Sequence, residues 1–304
     1  MIKEEHTTNP GIPLIAKVAL ITACLFWAAS FIATKVALDI VPPLTVVMVR
    51  LGISALCFLA WFLIRRKGVS IKSPRDWGML VLLALFGTGL HYSIQTIGLG
   101  YTTASNGSLY AVTGPITITI IAFIFLGEKI TIKKLTGIIL AIIGVLVVMG
   151  IDTIIAFDLK GHLLGDLLVL ASIFMWGVFT VMGKGMTKKL SALDLTGIVT
   201  FMGAIYMLPL GLWEMNRTGF SLDQITLNAW AAIAFLGVTC SFMATLLYFY
   251  ALERSESQKV GVYLYTIPPM TYIIAGLVLG ETVGLNLLIG SIVVLAGVAL
   301  TERG

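Results

Sequence analysis

Three cationic side chains stand inside apolar stretches of the sequence, where a positive charge is costly. Lys35 ends the motif WAASFIATK, which begins at Trp27, and Lys184 ends a related motif, WGVFTVMGK. Arg50 stands in the apolar stretch that follows the first motif. Such a cation can bind a carboxylate, or its head group can extend to the membrane surface. Asp39 is also a candidate ion-pair partner for Arg50, so the arginine serves either a substrate or the fold.

Two other apolar stretches carry polar residues at helical spacing. Asn106, Tyr110 and Thr113 recur every three or four residues, and Tyr263 and Thr266 repeat part of that spacing. A polar stripe on a membrane helix faces protein or water rather than lipid. The stripes therefore predict either hydrogen bonds between helices or the lining of a cavity.

One histidine falls within an apolar stretch, together with Tyr92 and Gln95. His91 and Gln95 are four residues apart and share a helix face. The imidazole is either a neutral group bonded to a neighbour, a substrate contact or a protonatable switch. No Asp or Glu falls in the middle of an apolar stretch, so a relay of buried carboxylates is not predicted, and transport without proton coupling is at least as well supported.

Prolines also stand within two of these stretches. Pro115 and the pair Pro268 and Pro269 lack the backbone N–H that a helix interior uses. They predict kinks or hinges in two helices, although a tolerated kink without a moving part is an equally good interpretation.

The elements that carry these residues are membrane helices. Hydrophobic residues make up 58% of the 304 residues and charged residues 12%, about half of what a soluble domain carries. A spanning helix needs about 20 mainly apolar residues. The sequence predicts an all-α membrane protein with ten transmembrane helices, at residues 14–38, 44–64, 77–98, 103–126, 131–150, 164–184, 194–213, 229–252, 257–280 and 284–301.

The distribution of basic residues predicts the orientation. Most of the 20 Lys and Arg residues fall in the tails and in alternate loops, whereas the intervening loops hold Lys160 and Arg217. Basic loops stay on the cytoplasmic side, so both termini are predicted to be cytoplasmic, with residues 1–13 as a tail. The basic balance is explained by the inner leaflet, and no nucleic-acid partner is predicted.

The two halves of the sequence resemble each other. Trp27 and Lys35 match Trp176 and Lys184, and the later stretch that contains Tyr110 and Pro115 matches one that contains Tyr263 and Pro268. Each half has five predicted spans, and because five is odd, the second half is inverted. The sequence therefore predicts two inverted five-helix repeats, at 14–150 and 164–304, an architecture typical of secondary transporters that bind substrate between their repeats.

These motifs resemble those of a known family. WAASFIATK and WGVFTVMGK, the stretch PPLTVVMVRLGISAL, and the repeat ends that begin LGEK and LGET are similar to signatures of the EamA-like branch of the drug/metabolite transporter superfamily. Ala28 replaces the usual glycine of the first repeat, and Val199 stands where the second repeat could have matched Arg50. The resemblance implies a ten-helix inner-membrane carrier, commonly an exporter of amino acids or small metabolites.

We therefore expect an alternating-access exporter in a bacterial plasma membrane, with a small-molecule substrate and the lipid bilayer as partners, as a monomer or homodimer. No cofactor or metal and no enzymatic activity are predicted. The alternatives are a multidrug efflux carrier and, outside transport, a membrane enzyme or sensor. The predicted substrate-binding residues are Trp27, Lys35, Arg50, His91, Tyr92, Gln95, Asn106, Tyr110, Thr113, Trp176, Tyr248, Tyr263 and Thr266, with hinges at Pro115, Pro268 and Pro269.

Overall fold

The structure, a computed structural model, describes residues 12–66, 69, 71, 73–102, 107–108, 110–149, 159–279 and 285–304. This part of the chain folds into helices and contains no strand. The helices, numbered here in chain order, are α1 Leu14–Leu38, α2 Pro43–Arg65, α3 Pro74–Tyr101, α4 Thr113–Leu126, α5 Ile132–Met149, α6 Leu159–Met186, α7 Ala192–Thr218, α8 Leu227–Arg254, α9 in three segments (Ser257–Gly261, Val262–Thr266 and Ile267–Leu279), and α10 Leu285–Glu302.

Among the described residues, seven helices are long and apolar enough to cross a membrane: α1, α2, α3, α6, α7, α8 and α10. α4 is apolar but shorter. The predicted span 103–126 is interrupted, because a turn at 111–112 separates the helical residues 107, 108 and 110 from α4, which begins at Thr113. Ten membrane crossings therefore remain a prediction, whereas an all-helical membrane protein is confirmed.

Local sequence explains where several helices begin and end. Prolines open α2 and α3, where a missing N–H breaks no intrahelical bond. Ser191 caps α7 by accepting the Asp194 N–H at 3.2 Å. Gly127 and Gly219 end α4 and α7 with φ of 68° and 70°, values that a side chain would disfavour.

Helices of the first half, α1–α5, pack mainly against helices of the second half, α6–α10. The extensive pairs are α5 with α10, α2 with α7, α3 with α6, and α1 with α8. If each half took the place of the other, the pairs α3–α6 and α1–α8 would exchange with each other. The pairs α5–α10 and α2–α7 would each remain the same. The pairing therefore has the pattern that a two-fold relation between five-helix units would produce.

Small residues let α5 and α10 approach each other closely. A Cβ added to Gly137 would lie 2.7 Å from the Gly297 carbonyl oxygen, and one added to Gly144 would lie 2.9 Å from the Gly290 carbonyl oxygen. Such glycine contacts permit close helix packing in membranes. These glycines thus serve helix packing inside one chain.

α3 and α8 each contain a π-helical segment, at Leu85–Leu90 and Leu236–Ala244. Each segment packs against a helix of the other half: the first against α7 and the second against α2. Thr88 of the first segment donates to the Val199 carbonyl oxygen of α7 at 3.4 Å. π segments are rare and concentrate at functional sites. The two segments lie at corresponding positions of the two halves, one in contact with Arg50 and the other in contact with Val199.

Ion pairs collect at one end of the helix bundle, which we call the basic end. Three of them join the two halves at 2.5–2.7 Å: Lys17 with Glu302, Arg65 with Asp194, and Lys134 with Glu256. A fourth, between Lys189 and Asp76 at 2.6 Å, does the same. The remaining ion pair of the described residues, Arg254 with Glu253, also lies there. The opposite end has no ion pair in the part of the chain that the structure describes.

Candidate functional site

A cavity of about 580 Å³ lies between the middle of the bundle and the end opposite the basic end. Helices α1, α2, α3, α4, α6 and α9 contribute to its wall, so both halves take part. Its lining residues are Trp27, Ser30, Phe31, Arg50, His91, Tyr92, Gln95, Ala111, Gly114, Ile173, Trp176, Leu264 and Ile267. Six of them were predicted as substrate-binding residues: Trp27, Arg50, His91, Tyr92, Gln95 and Trp176.

Arg50 supplies the positive charge of this cavity. Its side chain is buried, with 2% exposed, and its Nε donates to the Ser241 hydroxyl at 3.0 Å. The guanidinium carbon lies 4.2 Å from the centre of the Tyr92 ring. No carboxylate of a described residue lies within ion-pair distance, so Asp39 is not its partner. A buried cation without an acidic partner is costly, and an anionic ligand would remove that cost.

Two tryptophans at corresponding positions of the two halves meet at the inner limit of the cavity. The ring centres of Trp27 and Trp176 are 5.0 Å apart in an edge-to-face arrangement. Trp27 Nε1 donates at 3.3 Å to the Cys240 carbonyl oxygen, within the π segment of α8. Tyr248 contacts both indoles, with ring centres at 5.3 and 5.5 Å.

These rings belong to a larger group that separates the cavity from the basic end. Trp176 contacts Phe179, and Phe179 and Tyr248 contact Phe249, with ring centres between 4.9 and 6.0 Å apart. Phe179, Tyr248 and Phe249 are almost fully buried. We call Trp27, Trp176, Phe179, Tyr248 and Phe249 the aromatic layer. Because its rings pack in contact, the cavity ends at this layer.

His91 has a defined orientation in the cavity wall. Its Nδ1 lies 2.7 Å from the Ser172 carbonyl oxygen. A carbonyl only accepts, so Nδ1 carries the hydrogen, and in the neutral ring Nε2 is an acceptor. The ring also contacts Trp176 at 5.2 Å. His91 can therefore accept a hydrogen bond from a bound molecule, beside the guanidinium of Arg50.

The other predicted site residues that the structure describes are not part of this cavity lining. Thr113 and Thr266 donate to backbone carbonyls of their own helices, at 2.7 Å each. Tyr263 donates to Glu302 at 3.0 Å, toward the basic end. The remaining ones are Tyr110 beside the lining residue Ala111, Tyr248 in the aromatic layer, Lys35 near the end of α1, and Asn106, which falls outside the described residues.

The predicted hinge prolines stand beside breaks in two helices. Pro115 is in the first turn of α4, after the turn at 111–112. Pro268 and Pro269 open the last segment of α9, after its 3₁₀ segment. A proline in a first turn breaks no intrahelical hydrogen bond. The prolines therefore mark helix starts rather than kinks in continuous helices, and movement there remains a prediction.

A family model decides the identity of the fold. The model of the EamA-like transporter family matches this chain twice, at residues 14–150 and 163–303. The chain belongs to the EamA-like transporter family. It is therefore a multi-pass membrane transporter of a small molecule.

Similar proteins cover this EamA-like chain almost completely. One from Archaeoglobus fulgidus, described as an uncharacterized transporter, is 33% identical over 91% of this chain and 93% of its own. One from Streptantibioticus cattleyicolor, described as a probable terminal-alkyne amino-acid exporter, is 27% identical over 94% of this chain and 92% of its own. A crystal structure with 19% identity matches with a TM-score of 0.76, over 94% and 97%, which supports the fold.

Several lining residues of this EamA-like protein were missed from the sequence. Ser30 and Phe31 follow Trp27 by three and four residues, so helical periodicity could have placed them on its face. Ile173 and Leu264 are apolar residues in apolar helices, and nothing in their type distinguishes a cavity wall from a packed interface. The polar lining could thus be found from the sequence, whereas the apolar lining depends on the fold.

Proposed function

We propose that this EamA-like protein is a secondary transporter that exports an amino acid or a related small carboxylate by alternating access. The observation that carries the proposal is Arg50, a buried cation in the wall of the cavity that has no acidic partner among the described residues. A guanidinium binds a carboxylate through parallel charge-assisted hydrogen bonds. A substrate carboxylate would compensate the charge that the protein itself leaves unpaired.

The rest of the lining fits the other parts of an amino acid. Aromatic rings dominate the inner limit of the cavity, and a mainly apolar wall with a few polar groups is typical of small-molecule sites. Trp27 and Trp176 offer apolar surface and an electron-rich face to a side chain or an ammonium group. Gln95 and the free nitrogen of His91 add hydrogen-bonding groups beside Arg50.

The proposed transport direction rests on how the chain is oriented in the membrane and on which end of the helix bundle is closed. We take the basic end as cytoplasmic, because basic segments stay inside, and the membrane as a bacterial plasma membrane. In this orientation the cavity belongs to an outward-facing state, with the aromatic layer and the ion pairs closing the cytoplasmic side. Transport then requires the two five-helix units to exchange which side is closed, as inverted repeats permit.

Multidrug efflux is the weaker alternative. Aromatic walls would suit a large organic cation, but the guanidinium of Arg50 would repel it inside a site of low dielectric. The description of the Streptantibioticus cattleyicolor relative as a probable amino-acid exporter agrees with an anionic group on the substrate. The cavity charge therefore favours a carboxylate.

The test is efflux from proteoliposomes loaded with a mixture of the twenty amino acids, with the retained pool measured by mass spectrometry. We expect selective loss of a few amino acids and no loss of the corresponding amides, which lack the carboxylate. The double variant Trp27→Ala, Trp176→Ala should abolish this loss. The matched control is Trp61→Ala, Trp213→Ala, because both indoles are about half exposed, away from the cavity. Equal loss of acids and amides, or efflux of cationic dyes alone, would overturn the proposal.

A further inference from the structure

A second cavity of about 870 Å³ lies at the basic end, on the other side of the aromatic layer. It is formed where α4, α6 and α8 end and where α9 begins. Its lining residues are Leu126, Glu128, Lys184, Lys188, Glu253, Arg254, Ser255, Glu256 and Lys259. Seven of these nine residues are ionisable, a larger share than in the first cavity. The function of the second cavity is therefore set by which of its charges are already paired with protein groups.

The three carboxylates of this second cavity are occupied by protein donors. Glu128 accepts the backbone N–H groups of Ser257 and Gln258, at 2.8 and 3.1 Å. Glu256 is paired with Lys134 at 2.5 Å.

Glu253 completes this set, because it accepts from Arg254 and from the Ala192 N–H, at 3.1 and 3.3 Å. Each carboxylate thus has a donor of its own, and none of them pairs with Lys259.

Lys259 lies in the wall of the second cavity without such a partner. Only 2% of it is exposed, and it forms no hydrogen bond or ion pair with a described residue. Lys184 bonds to the Leu252 backbone oxygen at 2.6 Å and lies in the electrostatic field of the three carboxylates of this cavity. A buried ammonium without a counter-ion, such as that of Lys259, is costly. The geometry points to an anion that binds in the cavity and completes the charge of Lys259.

We propose that the second cavity is a carboxylate-binding site that receives the substrate from the basic side before the aromatic layer opens. This inference rests on the proposed function, because the ligand is the carboxylate of the exported molecule. Lys259 binds the carboxylate and Lys184 adds a second positive charge. The substrate would then be held by a cation on each side of the aromatic layer, Lys259 first and Arg50 second.

The test measures the charge preference of the second cavity by thiol labelling, which needs no transport. Ser255→Cys places a thiol in the lining, in a background with Cys57→Ser, since Cys24 and Cys240 are buried. The labelling rate is compared for sulfonatoethyl and trimethylammonioethyl methanethiosulfonate, which carry opposite charges. We expect Lys259→Met to lower the anionic-to-cationic rate ratio about tenfold.

Two variants control this measurement. Lys133→Met removes the same charge from an exposed position at the same end and should leave the ratio within about twofold. Lys259→Arg keeps the charge and should keep the ratio. If Lys259→Met and Lys133→Met give the same ratio, the inference is overturned.

The ligand class is tested on the chain that retains Lys259, so the result does not depend on folding of the methionine variant. Acetate should slow labelling of the Ser255→Cys thiol, whereas acetamide at matched ionic strength should not. Equal protection by sulfate and acetate would overturn the carboxylate assignment. Acetate protection without amino-acid efflux would overturn the proposed function and leave an anion site. Efflux without acetate protection would overturn only the second site.

Discussion

The two halves of the molecule share a framework but differ in charge at the corresponding positions of Arg50 and Val199. In both, a π segment of the third helix packs against the second helix of the other half. On one side Arg50 bonds to Ser241 of the segment in α8, and on the other Val199 accepts from Thr88 of the segment in α3. The framework is thus used twice, whereas the cation that faces the cavity is present once.

This difference separates the positions that the two halves share from the one position that gives the cavity its charge. Positions shared by the halves, such as the two tryptophans, lie where the halves meet. The unshared Arg50 gives the cavity its charge. A carrier with such an arrangement can change its substrate at unshared positions while its helix packing stays the same. Substitutions should therefore have unequal effects at unshared positions and equal effects at shared ones.

The largest expected effect is the loss of the unshared charge. Arg50→Met should weaken substrate binding about 100-fold, or ~2.7 kcal/mol, because the substrate carboxylate loses a buried charge-assisted partner. Arg50→Lys should be intermediate, since an ammonium cannot form the two parallel bonds. The measurement is substrate binding to the purified protein by isothermal titration calorimetry.

The matched change in the second half is Val199→Ala. Val199 is buried, so this variant should lower stability by about 1–2 kcal/mol, yet leave substrate affinity within about twofold. Equal losses of affinity for Arg50→Met and Val199→Ala would show that both positions act through packing and would end the distinction between the halves.

Next in size is an effect that should be equal in the two halves. Gly144→Ala and Gly297→Ala, at corresponding positions, each add a Cβ within 2.9 Å of backbone atoms of the facing helix. Helices α5 and α10 would have to separate, at about 2 kcal/mol for each variant. Thermal unfolding in detergent micelles should show the two losses to be alike within error.

Gly52→Ala is the control for these glycines. A Cβ at Gly52 meets no atom within 4 Å, so the variant should gain about 0.5–1 kcal/mol from helix propensity. If Gly144→Ala and Gly297→Ala were also neutral or stabilising, close contact between α5 and α10 would not hold the halves together.

Much of the framework could be predicted from the sequence, for physical reasons. Trp27 and Trp176 stand at mid-depth of their helices in related motifs, so their meeting between the halves follows from the internal similarity. The long apolar stretches predicted most of the helices, because the hydrocarbon thickness sets their length. The confirmed helices follow from composition, and the position of the two tryptophans follows from the similarity of the two halves.

The details of the site depended on packing that the sequence does not encode locally. Tyr263 has the spacing of a cavity residue, but a helix face borders several neighbours, and its hydroxyl bonds to Glu302, distant in the sequence. The π segments, and with them the Ser241 partner of Arg50, need a long-range contact to stabilise an unusual helix. The 3₁₀ segment of α9 lies just before Pro268 and Pro269, and no sequence signal of its own predicted it.

The smallest expected effect concerns the matched lysines that end the two motifs. Lys35 is half-buried near the end of α1 and forms no hydrogen bond or ion pair with a described residue, whereas Lys184 bonds to the Leu252 carbonyl oxygen. Lys35 could attract the substrate carboxylate through its electrostatic field alone. In that case Lys35→Met should raise the KM about twofold at low salt, for substrate that enters from the end opposite the basic end. Because salt screens exposed charges, the difference should vanish in 0.5 M NaCl, with a Debye length of about 4–5 Å.

Arg217→Met distinguishes a local role of Lys35 from the general field of that end. Arg217 is exposed at the same end and stacks on Trp213, 5.3 Å from the ring centre, and it does not line the cavity. Its loss removes the same unit of charge, so an equal rise in KM for both variants would contradict a specific attraction by Lys35. A rise that persists in 0.5 M NaCl for Lys35→Met would mean direct contact with the substrate, because only a desolvated pair resists screening. In that case Lys35 would join Arg50 as a binding residue of the first half, and the charge difference between the halves would extend to the mouth of the cavity.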